Sequence, residues 1–172
     1  HKLSSDKNGF CYFLGRPRRF GKSLFLSSLE CFFNARKDLF DGLKIMELEE
    51  KWMKYEVLRF DLSGCSTTEK LTSTISNAIA RYERIYKISP TTCEVKDRFV
   101  NLIESAAKNE PQRVVILIDE YDSALQQTLY NDEEHEKMRT AYRDFFSVFK
   151  SESHYIFKIL LTGIMKFTQL SL

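Results

Sequence analysis

The chain has 172 residues, 43% of them hydrophobic and 29% charged, with 26 Lys and Arg against 24 Asp and Glu. That length and composition predict one globular domain over residues 1–172, burying about 70% of the surface its unfolded form exposes. A net charge of +2 is too small to demand nucleic acid or an acidic membrane as partner. No apolar run approaches the ~18 residues of a membrane span, and residues 1–9 are too polar for a signal peptide. The four cysteines (Cys11, Cys31, Cys65, Cys93) form no CxxC pair, which argues against a disulfide framework or a zinc ribbon and for a reduced, cytoplasmic protein. The chain opens on a basic, Ser-rich tail and stops at residues 169–172 with no helix C-cap, so a fragment of a longer polypeptide is expected.

In chain order, residues 11–14 (CYFL), between Gly9 and Gly15, predict a first strand. From Ser23, the positions Leu26, Leu29 and Phe33 follow helical spacing to about Asn34. Residues 57–61 (VLRFD) predict a second strand, and Leu71, Ile75, Ile79, Tyr82 and Tyr86 a long amphipathic helix closed by Ser89-Pro90. Phe99, Ile103, Ala106 and Ala107 outline a shorter helix ending near Pro111. Residues 114–118 (VVILI) are unbroken aliphatics, the mark of a central parallel strand covered on both faces. A charged stretch, residues 132–137, leads into a helix with Met138, Tyr142, Phe145 and Phe149 inward, and residues 156–161 form a last buried strand ending at Thr162-Gly163. The order β-α-β-α-α-β-α-β predicts an α/β open parallel sheet flanked by helices, with right-handed crossovers.

Between the first strand and the first helix lie Arg16, Pro17, Arg18, Arg19, Phe20, Gly21, Lys22, Ser23 and then Leu24. Gly21, Lys22 and Ser23 match the end of the phosphate-loop template GxxxxGK[ST], whereas Arg16 stands at its first glycine and Gly15 falls one residue early. Backbone amides at a helix start, with the positive end of its dipole, suit phosphate. In such a loop Gly21 permits close approach, Lys22 reaches the β- and γ-phosphates, and the Ser23 hydroxyl sits on Mg²⁺. A Gly-Lys-Ser tripeptide also opens helices without any such role, and Arg18-Arg19 reads equally as a solubilising or nucleic-acid-binding patch. The position between an apolar strand and an amphipathic helix favours the phosphate reading.

The central strand delivers Asp119 and Glu120 at its carboxyl end, where ligands of open α/β sheets bind. Two carboxylates there are costly to desolvate without a cation or a proton-transfer task. Asp119 is the candidate Mg²⁺ ligand and Glu120 the base for an attacking water. The plainer alternative is that residues 119–123 open the next helix, with Ser123 and Gln126 as a capping box. Thr162, at the end of the last strand, is a third candidate, for contact with the γ-phosphate or the water, although threonine at a strand end is often structural.

Together, the segments RPRRFGKS (16–23), VILIDEYD (115–122) and LLTG (160–163) with Lys166-Phe167 resemble the bacterial AAA-ATPase-like family, a P-loop ATPase domain often fused to a C-terminal PD-(D/E)xK nuclease-like domain. In that family arginine in place of the first loop glycine is usual. The resemblance implies phosphate and magnesium roles for Lys22 and Ser23, Walker B roles for Asp119 and Glu120, and a sensor role for Thr162. It implies the strand order of additional-strand (ASCE, AAA-like) P-loop ATPases, the strand at 156–161 lying between the loop strand and the Walker B strand. The last strand, the helical lid and any nuclease-like domain would follow Leu172. The implied function is Mg²⁺-dependent ATP binding and hydrolysis coupled to conformational change; the alternative is a slow or non-hydrolysing ATP switch acting on a fused effector. ATP and Mg²⁺ are the expected ligands and a homo-oligomer is possible; direct nucleic-acid binding is left open. No arginine finger stands out, Arg139 and Arg143 being the candidates. The Glu94-Val95-Lys96 triplet with Asp97 lacks the strand context of a nuclease motif, and the three histidines have no metal-ligand spacing.

Overall fold

A computed structural model describes residues 10–109 and 111–165. Residues 1–9, Lys166, Phe167 and residues 169–172, on which parts of the sequence reading fall, lie outside the described residues. Strands β1 (Cys11–Gly15), β2 (Glu56–Asp61), β3 (Val114–Asp119) and β4 (Ile156–Gly163) form one sheet in the order β1-β4-β3-β2. Every pairing is parallel. Between the strands run α1 (Lys22–Phe33), a 3₁₀ turn (Lys37–Phe40), α2 (Ile45–Leu48), α3 (Thr68–Tyr86), α4 (Val95–Ala106), α5 (Ser123–Thr128) and α6 (Asp132–Ser151). The α/β parallel sheet expected from the sequence is thus observed, with β4 between β1 and β3. The 3₁₀ turn and α2 are additional, each too short to leave a periodic signature, while α5 is the short helix that the alternative reading of residues 119–123 allowed.

The alternation of side chains along the strands divides the core in two. Val57, Val115, Leu117 and Leu160 pack with Leu26 and Phe33 of α1 on one face. Leu58, Phe60, Val114, Ile116, Ile118, Ile159 and Leu161 pack under α3, α4 and α6 on the other. There Phe99 stacks on Phe145 at 5.0 Å and meets Phe60 edge-on at 5.2 Å. All six residues of β3 are buried, as its aliphatic run predicts for a strand sandwiched by helices.

Four helix boundaries differ from the sequence reading, the first being α4, which ends at Ala106 with Ala107 as its C-cap, short of Pro111. α3 stops at Tyr86, before Ser89-Pro90, because Lys87 turns left-handed (φ 55°) and the Ile88 amide donates back to the Glu83 carbonyl at 2.8 Å. Residues 132–137 are the first turns of α6 rather than a lead-in: the Asn131 side chain accepts from the Glu134 amide at 3.1 Å, and Asp132, Glu133 and Glu134 sit at the positive end of the dipole. The proposed Ser123–Gln126 capping box does not form, since Asp122 is the N-cap of α5 and the Gln126 amide group donates to its carboxylate. Glu94 caps α4, with Val95, Lys96 and Asp97 in its first turn, so the triplet has no nuclease-like strand.

On α3, the Thr67 hydroxyl accepts from the Lys70 amide at 3.2 Å. Thr67→Ala is expected to cost about 1 kcal/mol, read as a lower midpoint in urea denaturation; an unmoved midpoint would mean that the cap carries no weight. Among the described residues, no helix is long and apolar enough to cross a membrane.

Candidate functional site

Strand register brings the chemistry to one rim. Leu14 pairs with Thr162 and Gly15 with Gly163, while Asp61 pairs with Asp119 and Ile118 with Leu161. The carboxyl ends of all four strands therefore lie along the same edge. Parity does the rest: Asp119 continues the Val115–Leu117 series, Thr162 follows Leu160, and Arg59 follows Val57, so all three fall on the face covered by α1.

The loop from Arg16 to Gly21 is exposed and leads straight into α1. Its first residue is tied to the sheet, the Arg16 amide donating to the Gly163 carbonyl at 3.1 Å. Arg19 (φ 64°) and Gly21 (φ 71°) turn the chain through left-handed conformations. A side chain at Gly21 would meet nothing within 4 Å, so glycine is required there by the backbone angle rather than by space. Lys22 opens α1 and is only 6% exposed. Its ammonium reaches back over the loop to the carbonyls of Arg16 (3.1 Å) and Pro17 (3.2 Å). Ser23 and Leu24 are exposed in the first turn, and no side chain caps this helix, which leaves its leading amides for another acceptor.

At the tip of β3, Asp119 is buried to 2% exposure. The Thr162 hydroxyl donates to its Oδ1, and Arg59 Nη2 lies 3.6 Å from its Oδ2. Glu120 is half-buried and held at φ 50°, a conformation that costs a non-glycine residue about 1 kcal/mol or more. Its amide donates to Thr162 Oγ1 at 3.3 Å. One threonine hydroxyl thus touches both residues of the acidic pair.

Tyr121 and Asp122 extend this seam. The Tyr121 amide donates to the Thr162 carbonyl (3.0 Å) and its hydroxyl to the Met165 carbonyl (2.9 Å). Asp122, 2% exposed, accepts from the amides of Ile164 and Met165, each at 2.8 Å. Residues 119–122 are thereby sewn to residues 162–165. The sequence reading missed this role of Asp122; its partners are backbone amides some forty residues on, which no local pattern signals. The seam also explains Gly163, where a Cβ would lie on the Asp122 carboxylate, 2.8 Å from its Cγ and 2.9 Å from Tyr121 Cε1. Gly163→Ala is expected to cost about 3 kcal/mol through overpacking; a change below about 0.5 kcal/mol in chemical denaturation would contradict that packing.

Arg139 and Arg143 lie on α6, which covers the opposite face from α1, where they contact Glu136 (2.6 Å) and Thr140 (3.4 Å). Within one chain they are not brought to the rim. No cluster of three or more His, Cys, Asp or Glu residues suited to a metal occurs among the described residues. A magnesium ion fits the donors at the rim all the same, because it takes few protein ligands beside phosphate and water oxygens. The Ser23 hydroxyl and the Asp119 carboxylate are oxygen donors of that kind, and among the described residues Asp119 Oδ2 faces a guanidinium at 3.6 Å, beyond hydrogen-bond distance.

A parallel sheet in the order β1-β4-β3-β2, with a Gly-Lys-Ser helix start and an acidic strand tip on one edge, has the architecture of P-loop-like nucleotide-binding proteins. The chain belongs to the AAA-ATPase-like family, described as "Predicted AAA-ATPase", whose match spans residues 2–172. It is also 34% identical over 178 residues to a protein from Azotobacter chroococcum mcd 1, described as an uncharacterized protein in the vnfD 5' region. That alignment covers 97% of this chain and 34% of the relative; the chain thus spans about a third of the relative's length.

Proposed function

We propose that the domain binds ATP with magnesium and hydrolyses it, and that the rim just described is where it does so. One observation carries the reading. The Lys22 loop is bonded through Arg16 to Gly163, next to Thr162, whose hydroxyl is bonded to Asp119. The cationic and acidic halves of the site therefore share one short stretch of sheet edge.

In this reading the loop amides and the first turn of α1 cradle the phosphates, and Lys22 exchanges its two carbonyl partners for phosphate oxygens. Arg16, Pro17, Arg18, Arg19, Phe20 and Leu24 complete the binding segment. Ser23 and Asp119 would hold the metal, which would supply positive charge to offset the phosphate charge. Glu120 accepts a proton from the attacking water, and Thr162 fixes both acidic residues from below. The same assignment extends the single domain to residues 1–172 and leaves an arginine finger to a second copy of the chain. A fused effector of the nuclease-like kind would receive the nucleotide signal.

A second reading, a slow ATP-operated switch, is supported by the seam from residues 119–122 to 162–165, which ties the acidic tip to the segment leaving β4. Single-turnover measurements with radiolabelled ATP separate the two. The ATPase reading expects inorganic phosphate release with Mg²⁺ and none in EDTA. Tight binding without release favours the switch, and no binding overturns both.

A further inference from the structure

Arg59 stands out as a cation inside an otherwise apolar strand segment, residues 57–60 (VLRF), and its side chain is only 24% exposed. Its Nη1 donates to Ser27 Oγ at 2.9 Å and to Glu30 Oε2 at 3.0 Å, both on α1. Its Nη2 faces Asp119 Oδ2 at 3.6 Å. The backbone beneath it is pinned as well, the Tyr82 hydroxyl contacting the Arg59 amide (2.7 Å) and carbonyl (3.3 Å). The guanidinium therefore spans from the helix that carries Ser23 to the strand that carries Asp119.

The geometry on α1 makes that span specific. Ser23 and Ser27 are one turn apart, with the Ser27 hydroxyl donating to the Ser23 carbonyl at 2.9 Å, so Ser23, Ser27 and Glu30 run along neighbouring positions of one helix side. An arginine fork holds two directions at once in a way that a lysine point charge cannot. At 3.6 Å it draws the Asp119 carboxylate without occupying its lone pairs by hydrogen bonding.

We propose that Arg59 is a positioning residue for the cation site, setting the Ser23-bearing helix and the Asp119 carboxylate at a fixed separation. This rests on the nucleotide reading of the same rim. The two oxygen ligands come from different elements, and Arg59 links them through Ser27 and Glu30 on the helix of Ser23 and through its approach to Asp119 on β3. Outer partners that orient metal ligands commonly affect metal affinity by 10–100-fold. Loss of the fork should accordingly weaken the metal-dependent part of nucleotide binding and leave the Lys22-dependent part alone.

The test is a Mg²⁺ titration of fluorescent ATP-analogue binding to the wild type, Arg59→Gln, Arg59→Lys and Glu30→Gln, with a parallel arm in EDTA and thermal melts of each protein. In Arg59→Gln the half-saturating Mg²⁺ concentration should rise about tenfold, while affinity in EDTA stays within about threefold of wild type. Arg59→Lys should restore little of it, lacking the second donor direction. If Arg59→Gln fails to fold, Glu30→Gln decides, with an expected rise on the order of threefold, since an ion pair becomes a weaker bond from the guanidinium to a neutral amide oxygen. An unmoved or lowered Mg²⁺ requirement overturns the proposal, and so does an equal loss in EDTA or a melting change alone. Failure of the wild type to bind the analogue under any condition overturns instead the nucleotide reading on which it depends.

Discussion

Replacing Lys22 with alanine is expected to lower ATP affinity about 100-fold or more, because truncating one partner of a desolvated charge pair costs about 2–5 kcal/mol. The side chain is 6% exposed, so its ammonium is already largely withdrawn from water when a phosphate arrives. Its partners are two neutral carbonyls, those of Arg16 and Pro17, and exchanging them for anionic phosphate oxygens turns ion–dipole bonds into bonds between opposite charges. The fold should tolerate the change, since two hydrogen bonds to loop carbonyls contribute about 1 kcal/mol each and alanine suits a helix start. Calorimetric titration of the variant, with a melt to confirm folding, checks this. Undiminished affinity in a folded Lys22→Ala protein would remove the loop from the binding site.

Glu120→Gln is expected to separate binding from turnover. The substitution keeps size and hydrogen-bonding shape, and it keeps whatever strain φ 50° imposes, so melting temperature should not move. The amide group cannot accept a proton from water, and loss of a general base costs about 100- to 10,000-fold in rate. ATP affinity should stay within a few-fold of wild type, because Lys22 and the loop are untouched. Equal turnover in wild type and variant would leave Glu120 without its proposed task. The variant also divides the two functional readings: a switch keeps signalling when ATP binds, whereas an engine driven by hydrolysis stops.

Some of this architecture was legible because it depends on local pattern. The run at Val114, Val115, Ile116, Leu117 and Ile118 has one physical solution, a strand covered on both faces, and it is completely buried. Gly21, Lys22 and Ser23 between a strand and a helix predicted the observed loop-to-helix junction at Lys22. The position of β4 between β1 and β3 came from family resemblance, since periodicity identifies strands and not their neighbours. Other features depend on partners far along the chain. Arg59 was visible as a charge within an apolar strand, but Ser27, Glu30 and Asp119 come to it only when the sheet forms and α1 packs on it. Asp122 carries no local signal of its task, and its grip on the amides of Ile164 and Met165 emerges only from strand pairing. The helix end at Lys87 gave no warning because a lysine, not a glycine, adopts the left-handed turn.

The most direct measurement is a crystal structure of the protein with Mg²⁺ and a non-hydrolysable ATP analogue. The triphosphate is expected on the Arg16–Ser23 loop, with Lys22 Nζ moved from the loop carbonyls to phosphate oxygen. A single cation is expected between Ser23 Oγ and the Asp119 side. A triphosphate bound away from that rim, or a cation on the loop that Asp119 reaches neither directly nor through one water, would contradict the proposed site.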